Sequence, residues 1–194
     1  MSHGTSESCV VATAGQINVR GACRADLASI RVISNWAIKH TTANFKVEPD
    51  PLEYWTQAWE SNAPRYPWFV AESSGSVMGF AMASRFHSRC GYAYTAEVTV
   101  YVHPEHHGQG IGQALYDRLI PSLEASGYRT LIAVIATPNP ASQQLHAKFG
   151  FENVGRLRRV GWKHGRWHDV EYWQRLFNEA DDAPVPISDT CCSG

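Results

Sequence analysis

The spacing of apolar residues along the first third of the chain predicts a short strand followed by two helices. Residues 17–20 alternate between apolar and polar side chains, as a strand with one buried face does. From Asp26 to Ala37, apolar residues recur every three or four positions, which is typical of an amphipathic helix. Residues 52–59 form a second run of the same kind. We therefore expect a strand that leads into a pair of helices.

The middle of the chain predicts three strands and a third helix. Residues 68–72 and 77–83 are rich in β-formers and flank a short segment of Ser and Gly, which predicts a hairpin. Residues 92–102 have the pattern of one long strand, and residues 111–123 carry apolar side chains on one helical face. Pro121 lies inside this helical run and lacks a backbone donor, so we expect the helix to kink or end there.

The last third of the chain predicts a buried strand, a short helix and a final hairpin. Residues 131–136 are continuously apolar, and residues 142–149 form a short helical run that Gly150 ends. Residues 154–177 predict two strands around the turn at residues 163–166. The whole pattern indicates an α+β fold with a mixed central sheet.

Composition favours one globular domain with a small-molecule partner. The chain has 194 residues, of which 44% are hydrophobic, and this length is enough to bury one substantial core. Its 17 basic and 18 acidic residues give a net charge of -1. Such a balance does not supply the broad positive surface that holds a nucleic-acid backbone, so we expect no nucleic-acid partner.

The two ends of the chain predict tails on either side of a domain at residues 15–178. Residues 1–14 are mostly small and polar, and residues 179–194 mix Asp, Pro and Ser without an apolar period. The apolar residues 9–12 are too few for a signal segment, so we expect a cytoplasmic protein that does not associate with membranes. The five cysteines lack CxxC spacing, which predicts reduced thiols and no structural metal.

Three glycines alternate at the point where the long strand gives way to the third helix. Because Gly108, Gly110 and Gly112 have no side chains, their N–H groups can converge on an anion such as a pyrophosphate. A tight strand-to-helix turn explains an isolated glycine cluster equally well. The spacing fits neither the GxxxxGK loop of nucleoside triphosphate sites nor the GxGxxG fingerprint of dinucleotide sites, since Gln113 occupies the last required position.

Two segments identify the chain by resemblance. His107-Gly108-Gln109-Gly110-Ile111-Gly112 resembles the acetyl-CoA loop Q/R-x-x-G-x-G/A of the GNAT superfamily of N-acetyltransferases, with His107 where Gln or Arg is usual. Asn139-x-x-Ser142-x-x-Leu145-His146 and the following Phe149-Gly150-Phe151 resemble its segment N-x-x-A/S-x-x-L-Y-x-x-x-G-F, with His146 in the place of the tyrosine. With further motifs at residues 44–45, 65–68, 97–102 and 161–170, the chain resembles the phosphinothricin acetyltransferase subfamily from about residue 17 to residue 177.

This resemblance implies a fold and a cofactor. The fold is a single acetyltransferase domain with a largely antiparallel sheet of about seven strands flanked by helices. The cofactor is acetyl-CoA, which serves as the acetyl donor, and no metal is implied. The residues that the resemblance assigns to the cofactor belong to the long strand, the glycine loop and the start of the short helix: Val100, Tyr101, Val102, His107, Gly108, Gln109, Gly110, Ile111, Gly112, Asn139 and Ser142.

Glu97 and His146 are the candidate catalytic residues. Acetyl transfer requires a neutral amine, so a group must accept the proton of the ammonium form. Glu97 lies in an apolar strand, which can raise the pKa of its carboxyl group into a range suited to a general base. Alternation alone leaves an outward-facing charge equally open, and the resemblance favours catalysis. The resemblance likewise makes His146 a second proton-transfer group beside the leaving CoA thiolate.

The resemblance also assigns the acceptor site. It places Arg89 and His87 at two basic positions that meet the acidic groups of an amino-acid-like amine, and His87 departs from the usual lysine. A guanidinium suits a carboxylate or phosphinate, whereas a neutral imidazole has a single donor, so we expect the second contact to be weaker. Other residues aligned with the acceptor site are Asn44, Phe45, Tyr92, Thr99 and Val170.

The resulting hypothesis is direct transfer of an acetyl group to the α-amine of a small amino acid or analogue, such as phosphinothricin or methionine sulfoximine. Two alternatives stay open: a non-catalytic CoA-binding sensor, and an acetylase of peptide amines, which would need an open groove. The resemblance further implies a homodimer, and the tryptophans of the last hairpin are candidates for its surface.

Overall fold

The computed structural model describes residues 17–63, 65–177, 182–184 and 187, and within them the chain forms seven strands and four α-helices. The strands are β1 (Asn18–Gly21), β2 (Trp68–Ser73), β3 (Ser76–Arg85), β4 (Thr95–Val102), β5 (Thr130–Thr137), β6 (Glu152–Lys163) and β7 (Arg166–Leu176). The helices are α1 (Leu27–His40), α2 (Leu52–Asn62), α3 (Ile111–Ala125) and α4 (Pro140–Lys148). The predicted α+β class is confirmed.

The strands form one sheet in the order β1-β2-β3-β4-β5-β7-β6. Among the described strands, β4 and β5 are the one parallel pair, and they pair only from Thr95–Glu97 to Thr130–Ile132. Beyond these positions β4 continues beside β3, and β5 continues beside β7. The sheet is therefore split between β4 and β5, and the split begins directly after Glu97.

Alternating side chains of the sheet bury two cores, one on each face. On one face, Ala96 and Val98 of β4 pack with α3, whose Leu115, Leu119 and Leu123 are fully buried. On the other face, Phe80 and other strand residues pack with α1 and α2. Glu97 lies between Ala96 and Val98 in sequence, so the pleat turns its side chain away from the α3 core.

A partly buried ion-pair network fixes the start of α1. The guanidinium of Arg20 donates to both carboxylate oxygens of Asp26, at 2.7 and 2.9 Å, and also to Glu72 on β2. The same Asp26 carboxylate accepts a hydrogen bond from the backbone N–H of Cys23. The hydrogen bonds from Arg20 lower the pKa of Asp26. This network ties α1 to the sheet edge, so the opposite end of the helix has a defined position.

Two boundaries within the chain differ from the sequence prediction. β4 begins at Thr95 instead of residue 92, because Cys90–Tyr92 forms a 3-10 turn. α3 continues through Pro121 to Ala125, so the proline does not end the helix. Because Pro121 has no N–H group, the backbone carbonyl of Asp117 loses its usual helical donor. Both residues are exposed, so water can donate to that carbonyl instead.

Within the predicted C-terminal tail, the structure describes only residues 182–184 and 187, and two of these residues contact the domain. Ile187 is buried with the residues of the α3 core, and Asp182 forms an ion pair with Arg129. A single apolar residue in a polar segment has no period from which its burial could be predicted. The predicted tail at residues 1–14 and the remainder of residues 179–194 lie outside the described residues. No helix of the described residues is long and apolar enough to cross a membrane.

Candidate active site

A cavity of about 880 Å³ occupies the split between β4 and β5. Its wall reaches from Glu97 to the glycine loop and onward to the connection between α1 and α2. The structure thereby brings together most of the residues predicted for the site: Asn44, Phe45, Glu97, Thr99, Val100, Tyr101, Val102, His107, Gly108, Gly110, Ile111, Gly112, Asn139, Ser142, His146 and Val170.

Glu97 lies at the end of the cavity where β4 and β5 separate. It pairs with Ser84 on β3 and Ile132 on β5, so its backbone is held on both sides. Burial raises the pKa of its carboxyl group above the ordinary value. Among the described residues no hydrogen bond or ion pair occupies the carboxylate. A raised pKa and free oxygens are the properties that a general base needs.

The separation of the two strands leaves an unpaired strand edge along the cavity. From Thr99 to Val102, β4 pairs with β3 alone. Its other edge can hydrogen-bond an extended ligand that lies alongside as an added strand. The rise of a strand, about 3.3 Å per residue, places Val102 about 17 Å from Glu97. The cavity therefore suits a long ligand with amide groups.

The glycine loop lies at the other end of this edge and leads into α3. Gly108 and Gly110 have φ values of 75° and 77°, a region that residues with a Cβ adopt at a cost. Gly110 immediately precedes α3, so the loop presents its N–H groups at a helix N-terminus. A Cβ on Gly112 would lie 3.2 Å from Leu145 Cδ2, which shows how closely α4 approaches α3. The arrangement is typical of anion-binding sites.

His107 fastens the glycine loop to β4. Its Nε2 lies 3.0 Å from the carbonyl oxygen of Val102, a contact in which the ring nitrogen donates. The imidazole is thus engaged with the backbone, and the loop N–H groups are left for an anion.

Replacing His107 with alanine should weaken acetyl-CoA binding only modestly. One hydrogen bond contributes about 1 kcal/mol, so we expect Kd to rise about fivefold. Isothermal titration calorimetry of the two proteins measures the change. A loss of fiftyfold or more would mean that His107 contacts the ligand itself.

Asn139 and Ser142 begin α4 and set the position of His146. The Asn139 side-chain oxygen accepts a hydrogen bond from Ser142 N at 3.2 Å and so caps the helix. One turn later, His146 Nδ1 lies 2.7 Å from the Ser142 carbonyl oxygen, and Nε2 lies 2.9 Å from the hydroxyl of Tyr116 on α3. His146 is buried and still forms part of the cavity wall.

These contacts differ from the arrangement expected for His146 as a free acid. A carbonyl oxygen can only accept, so Nδ1 carries the hydrogen and Nε2 accepts from Tyr116. Burial lowers the pKa of His146, which keeps the ring neutral at pH 7. Both nitrogens therefore have partners inside the protein. The sequence could not reveal this, because Tyr116 belongs to a different helix.

Asn44 and Phe45 lie in the connection between α1 and α2. They form part of the cavity wall on the face of the sheet to which the Glu97 side chain points. The Tyr101 hydroxyl donates to the Ala43 carbonyl oxygen at 3.1 Å, and burial raises the pKa of Tyr101 to about 12, so it remains a donor at neutral pH. Asn44 Oδ1 accepts from the backbone N–H of Lys46 at 2.9 Å. The Lys46 ammonium is paired with Asp50 at 2.7 Å.

Four predicted site residues are not part of the cavity wall. Gln109 is exposed, and its amide donates to Glu105 O at 3.4 Å. His87, Arg89 and Tyr92 are exposed in the segment between β3 and β4, and the rings of His87 and Tyr92 lie 4.9 Å apart. Because Arg85 pairs with Ala96, this segment begins near the Glu97 end of the cavity. Sequence alignment places residues along the chain but does not give the path of an exposed loop.

Sequence reasoning missed the wall that α1, α2 and β5 contribute. No motif marks these residues, because their places follow from the packing of the helices on the sheet. Besides residues 133–136 of β5, the wall includes Ser34, Trp36, Ala37, Tyr54 and Trp55.

One group of described residues could hold a metal ion. Potential ligand atoms of His103, Glu105 and His106 lie within 4.8 Å of one another, in the turn before the glycine loop. His103 and His106 are partly exposed and Glu105 is exposed. The acetyl transfer considered below uses none of the three.

The fold and the cavity together define an acyltransferase: a strand edge and an anion site for a long acyl carrier, with a candidate base where the carrier's reactive end would lie. The chain belongs to the acetyltransferase (GNAT) family, whose model matches residues 31–151. It is 42% identical to a phosphinothricin N-acetyltransferase of Streptomyces viridochromogenes over 88% of this chain and 93% of that protein. It is 37% identical to an L-methionine sulfoximine/L-methionine sulfone acetyltransferase of Salmonella typhimurium, over 84% of this chain and 96% of that protein.

A solved structure extends this similarity to three dimensions. A phosphinothricin acetyltransferase from Sinorhizobium meliloti, in complex with acetyl-CoA, superimposes with a TM-score of 0.86 at 34% identity. The match covers 90% of this chain and 97% of that one. The family and fold implied by the sequence motifs are confirmed.

Proposed function

We propose that the protein transfers the acetyl group of acetyl-CoA to the α-amine of a small amino acid or amino-acid analogue. One observation carries the proposal: a single cavity joins the glycine loop to the free, partly buried carboxylate of Glu97. The relatives named above support it, since their names specify the same reaction on phosphinothricin and on methionine sulfoximine or sulfone. Since acetyl-CoA is made inside cells, we place the protein in the cytoplasm.

The cofactor would lie along the split in the sheet. N–H groups of Gly108, Gly110 and Gly112 would bind the pyrophosphate at the start of α3. Backbone groups of Val100 and Val102 would hydrogen-bond the amides of the pantetheine arm along the unpaired edge of β4. This arrangement directs the thioester toward Glu97. The Asn139 amide nitrogen is also available to the cofactor, because its side-chain oxygen already caps α4.

The reaction needs one proton acceptor from the protein and no acyl-enzyme. Glu97 removes a proton from the ammonium group of the acceptor, directly or through water, and leaves a nitrogen lone pair free. The nitrogen attacks the thioester carbonyl carbon, the carbon–sulfur bond breaks, and CoA leaves as a thiolate. The acylated nitrogen then loses its second proton, which the thiolate takes up, so that the products are the amide and the CoA thiol. Backbone N–H groups near Thr99 and Val100 would stabilise the charge that develops on the carbonyl oxygen.

His146 would contribute as a neutral part of the cavity wall, not as a proton donor to the thiolate. Its one N–H already binds the Ser142 carbonyl, and Tyr116 occupies the other nitrogen. A thiolate is an adequate leaving group near neutral pH, because thiols have pKa values of about 8.5. We therefore assign the essential proton transfer to Glu97, with His146 ordering the wall at the end of α4.

The acceptor would enter between Phe45 and the Glu97 end of the cavity. With its amine at Glu97, its acidic group would extend toward the segment that carries His87, Arg89 and Tyr92. Arg89 suits a carboxylate or phosphinate, and His87 adds a weaker second contact. Phe45, Thr99 and Val170 would bound the acceptor side chain.

An acceptor panel tests the proposed function. The protein is incubated with acetyl-CoA and one amine at a time: common L-amino acids, methionine sulfoximine, methionine sulfone, phosphinothricin and short peptides, with release of the CoA thiol followed continuously. We expect turnover with a small amino acid or analogue and little with peptides. Acetyl-CoA binding without turnover on any amine would favour the sensor alternative, and preference for peptides would favour the peptide acetylase.

We also propose that the protein is a homodimer joined through β6. This strand pairs with β7 alone and forms one edge of the sheet, with residues along nearly its whole length exposed. Val154, Leu157, Val160 and Trp162 are between 46% and 56% exposed. A long apolar edge strand in water is a template for pairing with another chain, and a second copy offers the same edge.

Leu157→Glu should shift the protein from dimer to monomer. The substitution places two like charges in a self-complementary interface, and light scattering coupled to size-exclusion chromatography measures the mass. Val32→Glu is the matched control, since Val32 is 53% exposed but lies on α1. An unchanged mass for Leu157→Glu, or a wild-type monomer at micromolar concentration, would contradict the proposed interface.

A further inference from the structure

The end of β6 and the turn that joins it to β7 contact the loop that carries Asn44 and Phe45. Lys163, at the end of β6, is only 5% exposed. Its Nζ lies 2.5 Å from the carbonyl oxygen of Ile38 and 2.5 Å from that of Asn44. Lys163 is separated from these residues by well over a hundred positions in sequence, so the contact is purely tertiary.

The two carbonyls belong to different pieces of backbone. Ile38 lies in the last turn of α1, where carbonyl groups have no partner within the helix and carry the negative end of the helix dipole. Asn44 lies beyond the helix end, in the wall of the cavity. A single ammonium group therefore holds the loop against the helix that precedes it. Burial lowers the pKa of Lys163, and the structure records no carboxylate paired with it among the described residues.

Residues of β6, β7 and the turn between them also contact the segment 41–45. A Cβ built on Gly161 would lie 2.6 Å from the ring of Phe45, so the ring occupies space that only a glycine leaves open. His164 Nε2 lies 3.3 Å from the carbonyl oxygen of Thr41. The Phe45 ring also lies 6.0 Å from that of His168 on β7.

We propose that Lys163 and Gly161 are positioning residues for acceptor selection: the ammonium of Lys163 fixes the backbone at Asn44, and Gly161 admits the ring of Phe45, so the hairpin turn sets the shape of the acceptor wall. The inference rests on the proposed function, because the proposed function places the amine acceptor against this wall. Neither Lys163 nor Gly161 is part of the wall of the cavity that would hold acetyl-CoA. The two substrates should therefore respond differently when the turn is altered.

Lys163→Met tests the role of the ammonium, and Lys39→Met, an exposed lysine on α1, is the matched control. Hydrogen bonds to a charged group are among the stronger ones in proteins, so we expect the KM for the acceptor to rise about tenfold in Lys163→Met. The KM for acetyl-CoA should stay within about twofold of wild type. Hydrogen exchange at residues 41–46 should become faster in Lys163→Met and remain unchanged in Lys39→Met.

Gly161→Ala keeps the ammonium and moves Phe45, so it tests the inference even if Lys163→Met does not fold. We expect its acceptor preference to change, with the KM rising more for methionine sulfone than for a smaller amino acid. A lower Tm with both KM values unchanged in either folded variant would show a merely structural role and overturn the inference. If the wild-type protein acetylates no amine, the proposed function fails, and hydrogen exchange at residues 41–46 alone decides whether the turn holds the loop.

Discussion

Replacing Glu97 with glutamine should lower kcat by roughly 10²- to 10⁴-fold, the range that a positioned general base contributes. Glutamine keeps the size of the side chain and cannot accept the ammonium proton. Its effect on acetyl-CoA affinity should be small, because the cofactor would be held by the strand edge and the glycine loop. Steady-state kinetics with acetyl-CoA titration calorimetry separates the two effects.

The pH profile of the same variant provides a second readout. The carboxylate is active when deprotonated, and burial raises its pKa, so wild-type kcat/KM should fall as the pH falls through that raised pKa. This fall in kcat/KM at low pH should be absent from Glu97→Gln. Glu171→Gln is a matched control, since Glu171 is a buried carboxylate on β7 outside the cavity wall. Retained kcat in Glu97→Gln at neutral pH would show that the base lies elsewhere.

Gly110→Val should raise the Kd for acetyl-CoA at least about tenfold. Gly110 has a φ of 77°, and a residue with a Cβ pays about 1–2 kcal/mol to adopt this left-handed conformation, more when it is β-branched. A Cβ at this position would meet no protein atom within 4 Å, so the side chain would enter the space above the start of α3 where the pyrophosphate is expected. Relaxation of the loop to relieve the strain would also disperse the N–H groups.

Gly75→Val is the matched control for this loss. Gly75 lies in the turn between β2 and β3 with a φ of 79°, and its Cβ would likewise meet no atom within 4 Å. Both variants should lose comparable stability in thermal unfolding, since the backbone strain is the same. Only Gly110→Val should lose affinity for acetyl-CoA in calorimetry. Equal affinities for the two variants would remove the glycine loop from the cofactor site.

Local sequence patterns were sufficient for most of the fold. The apolar periods of α1 and α2 and the turn around Gly75 reflect interactions within a few residues of one another, so their positions could be predicted to within a few residues. The start of β4 could not, because Tyr92 and Tyr94 are strand-favouring residues although Tyr92 belongs to the 3-10 turn at Cys90–Tyr92. Ile187 could not either, since its burial depends on a core formed by distant parts of the chain.

The site residues likewise divide into those that the sequence predicted and those that only the structure shows. Glu97 and the glycine loop, which the motifs predicted as site residues, lie in the cavity wall, because each motif is a short continuous segment of the chain. The split between β4 and β5 is a matter of strand register, which no single segment encodes. The partner of His146 is Tyr116 on another helix, and Lys163 contacts Asn44, which lies far from it in sequence. Such pairs become visible only in three dimensions.

The central claim is that acetyl-CoA and an amino-acid amine react directly within one cavity. The most direct test incubates the protein with acetyl-CoA and L-methionine sulfone and measures both products by mass spectrometry over time. We predict N-acetylated methionine sulfone and free CoA in equal amounts, at a rate proportional to enzyme and with no acetylated protein intermediate. Release of CoA without an acetylated amine, across the full acceptor panel, would contradict the account.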